Sequence, residues 1–296
     1  MSDYILSCCS TADMSKEYFE SRNIRYACFN YELDGTTYKD DLGVTIPLPE
    51  FYAAMAEGKM TRTSQINTED YEAYFEELLQ ENKPILHIAF SSGLSGSVNS
   101  AIIAADNVME RHPGSRVVVI DSVAASSGFG LLVDKAADLR DEGKTIEENA
   151  AWIEAHKKNL NHWFFTTTLT YFIRGGRVSK VSGTLGNMLN ICPLLIVNDE
   201  GKLINTEKIR TKKKVKATIV DRMIENADNG LDYDGKCFIS NSNCPEDAQD
   251  VARMIEEKFP KLNGKVQIYD IGTVIGSHTG PGTVAVFFWG KERTNA

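Results

Sequence analysis

Ile85-Leu86-His87-Ile88-Ala89-Phe90 runs directly into Ser91-Ser92-Gly93-Leu94-Ser95-Gly96-Ser97, and a helical pattern then continues to about Arg111. An apolar run of strand length, a Gly/Ser turn and a helix start make one unit of an α/β architecture. The following segment repeats it. Val117–Ile120 is apolar and ends at Asp121-Ser122, before another Gly/Ser-rich turn and a helical segment at Leu131–Asp141. Gly143-Lys144 closes that helix, and Thr145 opens another through about Leu160. Upstream, Tyr4–Cys8 reads as a strand, Ser15–Ser21 as a helix, and Arg25–Leu33 as a strand that turns at Asp34-Gly35. Pro47–Glu57 reads as a helix with proline in its first turn. Asn67 or Thr68 can cap another, in which Tyr71, Phe75, Leu78 and Leu79 recur at helical spacing.

From Trp163 the pattern changes. Strand-like runs follow at Trp163–Thr168, Leu194–Val197, Lys202–Ile209, Cys237–Ser240, Val266–Ile271 and Val284–Trp289, with helices at Lys212–Asn226 and Pro245–Phe259. Asn198-Asp199-Glu200-Gly201, between two strand runs, reads as a hairpin turn, so this half should contain antiparallel pairing. The expected organisation is two domains, 1–160 with a parallel α/β/α sheet and 161–296 with a mixed α/β sheet.

Composition narrows the function. The chain has 296 residues and a formal net charge of -9, which argues against nucleic acid as a general partner because phosphate binding needs concentrated Lys and Arg. The start has no basic region leading into a long apolar run, and no stretch is apolar enough to span a bilayer, so a soluble cytoplasmic protein is expected. Six cysteines without paired CxxC spacing read as buried reduced thiols. The five histidines show no metal-ligand spacing, and no metal or cofactor is expected.

Four constellations could carry chemistry. Thr61-Arg62-Thr63-Ser64-Gln65 and the Ser91–Ser97 turn are hydroxyl-rich and sit where helices begin. Unpaired N–H groups and the helix dipole make such places anion sites, although ordinary Ser/Thr capping is the commoner explanation. The turn has no GxxxxGK[ST] pattern, which sets a P-loop aside. Gly93-Leu94-Ser95-Gly96 nearly matches the GxSxG elbow, failing where Ser97 replaces Gly, so a serine esterase or acyl hydrolase using Ser95 and His278 is the alternative. In Arg174-Gly175-Gly176-Arg177 the glycines allow a sharp turn that keeps both guanidinium groups on one side for an anion; a plain loop with solvated arginines is the competing view. Lys208-Ile209-Arg210-Thr211-Lys212-Lys213-Lys214 is a dense basic run in an acidic chain, either a solvated face or a dock for an anionic partner. Gly272–Gly282 surrounds His278 with glycines and reads as an exposed loop.

Taken together, Thr63-Ser64-Gln65, Ser91 to Gly96, Leu169 through Arg174-Gly175-Gly176-Arg177-Val178-Ser179, and Gly276-Ser277-His278-Thr279-Gly280-Pro281-Gly282 resemble the DegV family over essentially the whole chain. The resemblance implies a two-domain DegV-like fold holding a long-chain fatty acid between the domains. It also implies a non-catalytic role as the acyl-binding partner of a fatty-acid kinase subunit, in phospholipid metabolism and with transient membrane-surface contact. Carried over by motif, Thr63 and Ser95 would bind the carboxylate with Ser64 and Ser92 as neighbours. Arg177 and His278 would stand beside the group that becomes phosphorylated, Arg177 being the more characteristic arginine than Arg174, and Arg210 would help dock the kinase. This chain departs from the common pattern at Ile66-Asn67, where the family often has Pro-Ser.

Overall fold

The computed structural model describes residues 3–179 and 190–294. The first half contains, in order, β1 (Ile5–Cys9), α1 (Lys16–Ser21), β2 (Ile24–Ala27), β3 (Asn30–Leu33), β4 (Thr36–Lys39), α2 (Leu48–Ala56), β5 (Thr61–Ser64) and α3 (Thr68–Leu79). It continues with β6 (Ile85–Ala89), α4 (Ser97–Arg111), β7 (Val117–Asp121), α5 (Ser126–Asp141) and α6 (Ile146–His156). Strands β2-β1-β6-β7 form a parallel sheet in that order. Every residue of β1 and β6 is buried, which is why their sequences are apolar runs and not alternations. Helix starts follow the expected chemistry. Ser15 caps α1, Asn67 accepts from the Asp70 N–H to cap α3, and Thr145 forms a reciprocal capping box with Glu148.

Three expectations for this half need correction. The run Arg25–Leu33 is not one strand, because β2 stays at the edge of the parallel sheet while β3 leaves it. β3 instead joins β4 and β5 in a separate antiparallel sheet, ordered β4-β3-β5. Asp34 and Gly35 both take positive φ, 51° and 83°, and close the β3–β4 hairpin. Thr61–Ser64, read as a hydroxyl-rich segment before a helix, is itself a strand. Helix α5 also begins at Ser126, five residues before the expected Leu131. Its glycines are packing devices, not turn residues: a Cβ on Gly130 would come 2.4 Å from the Met14 sulfur.

The second half contains β8 (Leu160–Phe165), α7 (Thr170–Arg174), β9 (Ile191–Val197), β10 (Leu203–Arg210), α8 (Lys212–Asn226), β11 (Phe238–Asn241), α9 (Pro245–Lys258), β12 (Gln267–Asp270), α10 (Thr273–Thr279) and β13 (Val284–Trp289). Its sheet runs β10-β9-β8-β13-β11-β12, antiparallel except for the β11–β12 pair. The hairpin expected at Asn198–Gly201 is present. Asn198 Oδ1 accepts from the N–H groups of Glu200 (3.1 Å) and Lys202 (2.9 Å), and Gly201 has φ 73°.

This sheet is apolar on both faces, and strand alternation divides its side chains. Phe164, Ala285 and Phe287 join the larger core shared with the parallel sheet and α5. Their neighbours Phe165, Val284, Val286 and Phe288 join a second core under α8 and α9. Gly272–Gly282 departs from expectation: most of it is the short helix α10, packed back onto the first half of the chain. Tyr52 Oη donates to the Ile271 carbonyl (2.8 Å), the Gly272 N–H donates to Asp13 Oδ1 (3.0 Å), and Thr273 Oγ1 donates to Asp40 Oδ1 (2.6 Å). Among the described residues no helix is long and apolar enough to cross a membrane. The six cysteines are free thiols, with Cys8, Cys9, Cys192 and Cys237 buried.

Candidate functional site

A cavity of about 380 Å³ opens between the two halves, a size typical of small-molecule sites. Its interior is faced by Phe29, Phe90, Phe164, Phe172, Val197 and Phe287, and its polar rim by Thr63, Ser64, Ser92, Ser95, Arg177 and His278. The sequence motifs thus meet at one place, brought there by separate elements.

Thr63 stands on β5 opposite Tyr31 of β3, and its Oγ1 lies 2.8 Å from His278 Nε2. His278 sits near the end of α10 and is mostly buried, not on an exposed loop. Burial, and secondarily the Arg177 charge, pushes its pKa down to about 4, so the ring is neutral near pH 7. Its Nδ1 has no partner among the described residues and lies against Gly175, where a Cβ would come within 2.1 Å. The first glycine of the Gly-Gly pair is therefore required by the histidine's close approach.

Ser95 stands in the turn that starts α4, where its Oγ accepts from the Ser97 N–H (3.2 Å). Ser95 thus both makes a local turn bond before the helix and lines the cavity. Ser91 Oγ donates to the Gly201 carbonyl (2.9 Å), and a Cβ on Gly93 would meet Glu200 O at 2.6 Å, so the β9–β10 hairpin braces the loop that presents Ser92 and Ser95. Ser92 and Ser64 line the same cavity but are exposed.

The two arginines separate, contrary to the expectation that both guanidinium groups share one side. Arg177 turns in and donates through Nε (3.3 Å) and Nη2 (3.1 Å) to the Leu94 carbonyl, one residue before Ser95; burial lowers its pKa. Arg174 stays exposed, over the Tyr171 ring and against Met60, and does not line the cavity. Arg210 is exposed at the end of β10 and likewise does not line it.

A serine hydrolase would need His278 on Ser95 and an acid behind the imidazole. Here Nε2 faces Thr63, and among the described residues no carboxylate reaches Nδ1. The arrangement offers hydroxyl donors, a neutral imidazole and one guanidinium around an apolar void. The described residues contain no cluster of three His, Cys, Asp or Glu side chains that could hold a metal. Sequence reasoning missed the aromatic interior and gave no role to Gln65, quoted within its motif, whose Oε1 packs against Gly96.

Residues 9–291 match the family model described as "Uncharacterised protein, DegV family". The chain belongs to the DegV family. A DegV domain-containing protein of Clostridium perfringens is 38% identical over 293 residues, 99% of each chain. A DegV family protein from Thermus thermophilus, solved as a fatty-acid-binding protein, superposes with a TM-score of 0.86 at 28% identity, covering 98% of this chain and 100% of that one. The Fatty Acid Kinase (Fak) B3 protein of Streptococcus pneumoniae, loaded with linoleic acid, superposes with a TM-score of 0.84, covering 98% and 100%. At 22% identity that last likeness is one of fold.

Proposed function

We propose that this DegV chain binds a long-chain fatty acid, tail in the cavity and carboxylate at Thr63 and Ser95, and presents it to a separate ATP-dependent kinase subunit. The observation that carries the reading is one void with an aromatic interior and a single polar rim, assembled from the four DegV motifs. The expected domains, 1–160 and 161–296, each supply one wall. Enclosing the tail contributes roughly 0.8 kcal/mol per methylene, enough for a long chain to outweigh the costs of association. A carboxylate buried bare would be expensive, so its oxygens need donors. With His278 neutral and its Nε2–H given to Thr63 Oγ1, the Thr63 hydroxyl proton is free to point at the carboxylate. Ser95 supplies a second hydroxyl, with Ser64 and Ser92 at the rim.

Uncharged donors hold the head group while leaving an oxygen free to attack the terminal phosphorus of ATP, with ADP as leaving group. The product is an acyl phosphate. Positioning and charge stabilisation carry most of phosphoryl transfer, and Arg177, fixed by the Leu94 carbonyl, is placed to meet the new charge. Arg210 and the basic run around it form the docking face for the kinase, and the exposed Arg174 flanks the rim. In this reading the chain works in the cytoplasm, in phospholipid metabolism, and meets membranes only transiently.

Native mass spectrometry of the purified chain, followed by extraction, tests the binding step. A co-purifying fatty acid at one per chain is expected. A chain that carries no lipid and takes up none when offered octadecanoate overturns the proposal.

A further inference from the structure

Behind the serine loop lies a buried cation that belongs to neither the rim nor the interior of the cavity. Arg293, beyond the end of β13, is 7% exposed and does not line the void. Its Nη1 donates to the carbonyl oxygens of Val123 (3.0 Å) and Asn198 (2.9 Å) and, sharing a proton, to that of Val197 (3.3 Å). Nη2 donates to the Lys157 carbonyl (3.1 Å). Burial pushes its pKa down to about 10, so the guanidinium remains charged near pH 7. A charge taken out of water is costly unless its donors are met, and here main-chain carbonyls from both halves meet them. Val123 and Lys157 belong to the first half, Val197 and Asn198 to the second.

What Arg293 grips leads to the head group. Val197 ends β9 and Asn198 opens the β9–β10 hairpin, whose Gly201 carbonyl accepts from Ser91 Oγ (2.9 Å). Ser91 is fully buried and holds the turn that carries Ser92 and Ser95, since its carbonyl accepts the N–H groups of Leu94 and Ser95, both at 3.1 Å. On the other side, Val123 takes φ 46°, in the left-handed region that a β-branched residue rarely enters. A Cβ on Gly201 would lie 2.1 Å from Ser91 Oγ and 3.1 Å from the Val123 Cα. Hairpin, Val123 turn and serine loop are therefore in close contact, and the guanidinium is bonded to the first two at once.

We infer that Arg293 is a positioning residue: by pinning the β9–β10 hairpin to Val123 it sets the place of Ser91 and, through Ser91, of the Ser95 hydroxyl. The inference rests on the fatty-acid reading above, which gives Ser95 the carboxylate. Lysine cannot replace Arg293, because one ammonium on a flexible stem does not span carbonyls from three segments as a planar fork does. Val197 also lines the cavity, but the ladder to Leu203 holds it independently. Loss of the guanidinium therefore acts on the head group and spares the tail.

Calorimetry on the delipidated chain tests this with decanoate and octadecanoate, for the wild type, Arg293→Lys, Ser95→Ala and the double variant. Arg293→Lys should weaken both acids by the same factor, about fivefold, the worth of one hydrogen bond. Ser95→Ala should lose a similar amount, and adding Arg293→Lys to it should cost less than about twofold more, because residues that act through one contact are not additive. Losses that multiply in the double variant, no loss from Arg293→Lys, or a loss larger for octadecanoate than for decanoate overturns the inference. The last of these is what a merely structural role in the interior wall would produce. Should Arg293→Lys not fold, Ser91→Ala cuts the same linkage at its far end and takes its place in the cycle, with multiplied losses again contrary. Unchanged binding in Ser95→Ala, or failure of the wild-type chain to bind either acid, would instead sink the underlying fatty-acid reading and this inference with it.

Discussion

The rim and the interior of the cavity are built on opposite principles. At the rim, Thr63, Ser95, Arg177 and His278 arrive from four separate segments and are fixed by point contacts, such as the 2.8 Å approach of Thr63 to His278. The interior is two sheet faces whose alternating side chains supply area, with Phe164 and Phe287 as examples. Area is forgiving and additive, whereas a point contact is lost with one atom. Affinity for the tail should therefore reside in the interior, and reactivity of the head at the rim.

The largest expected effect separates the two directly. Arg177→Gln should lower acyl-phosphate formation with a kinase subunit by at least about 100-fold, the usual loss when a group that stabilises developing charge is removed. Octadecanoate affinity, measured by calorimetry, should change less than about threefold. Equal losses in both assays would break the division.

Narrowing the interior should do the reverse. Ala285→Phe, on the cavity face of β13, should exclude about four methylenes, costing roughly 3 kcal/mol, on the order of a hundredfold in octadecanoate affinity. Decanoate should lose far less. A uniform loss at all chain lengths would place the tail elsewhere.

Thr63→Val removes a hydroxyl at constant shape and should weaken binding about tenfold. This loss should be independent of chain length, since it concerns the head alone.

The smallest effect is one of pH. The folded His278 ring has a pKa of about 4 against an ordinary 6.5, so its neutral burial contributes stability that is full above pH 6.5. That contribution is lost as pH falls from there toward 4. His278→Gln should show a smaller drop in Tm between pH 7 and 5 than the wild type; identical slopes would mean that the ring is not held neutral.

The same contrast explains what was legible in the sequence. Strands buried on both faces, such as β6, announce themselves as apolar runs, and the caps Ser15, Asn67 and Thr145 mark their helices by local chemistry alone. The residues that line the rim could be singled out because motifs are local in sequence. Gly272–Gly282 was misread because its glycines suggest a loop, while the hydrogen bonds to Asp13, Asp40 and Tyr52 that hold α10 span more than 200 residues. Likewise, the departure of β3 from the parallel sheet depends on pairing with β5, which no local pattern encodes. The interior's composition was invisible for the same reason, since a Phe on either face of β8 looks alike until the second sheet face is placed.

A crystal structure of the chain with octadecanoic acid tests the central claim most directly. The carboxylate should lie within hydrogen-bonding distance of both Thr63 Oγ1 and Ser95 Oγ, with the tail running inward past Phe164 and Phe287. A head group bound away from those two hydroxyls, or a tail lying outside the space between the sheets, would contradict it.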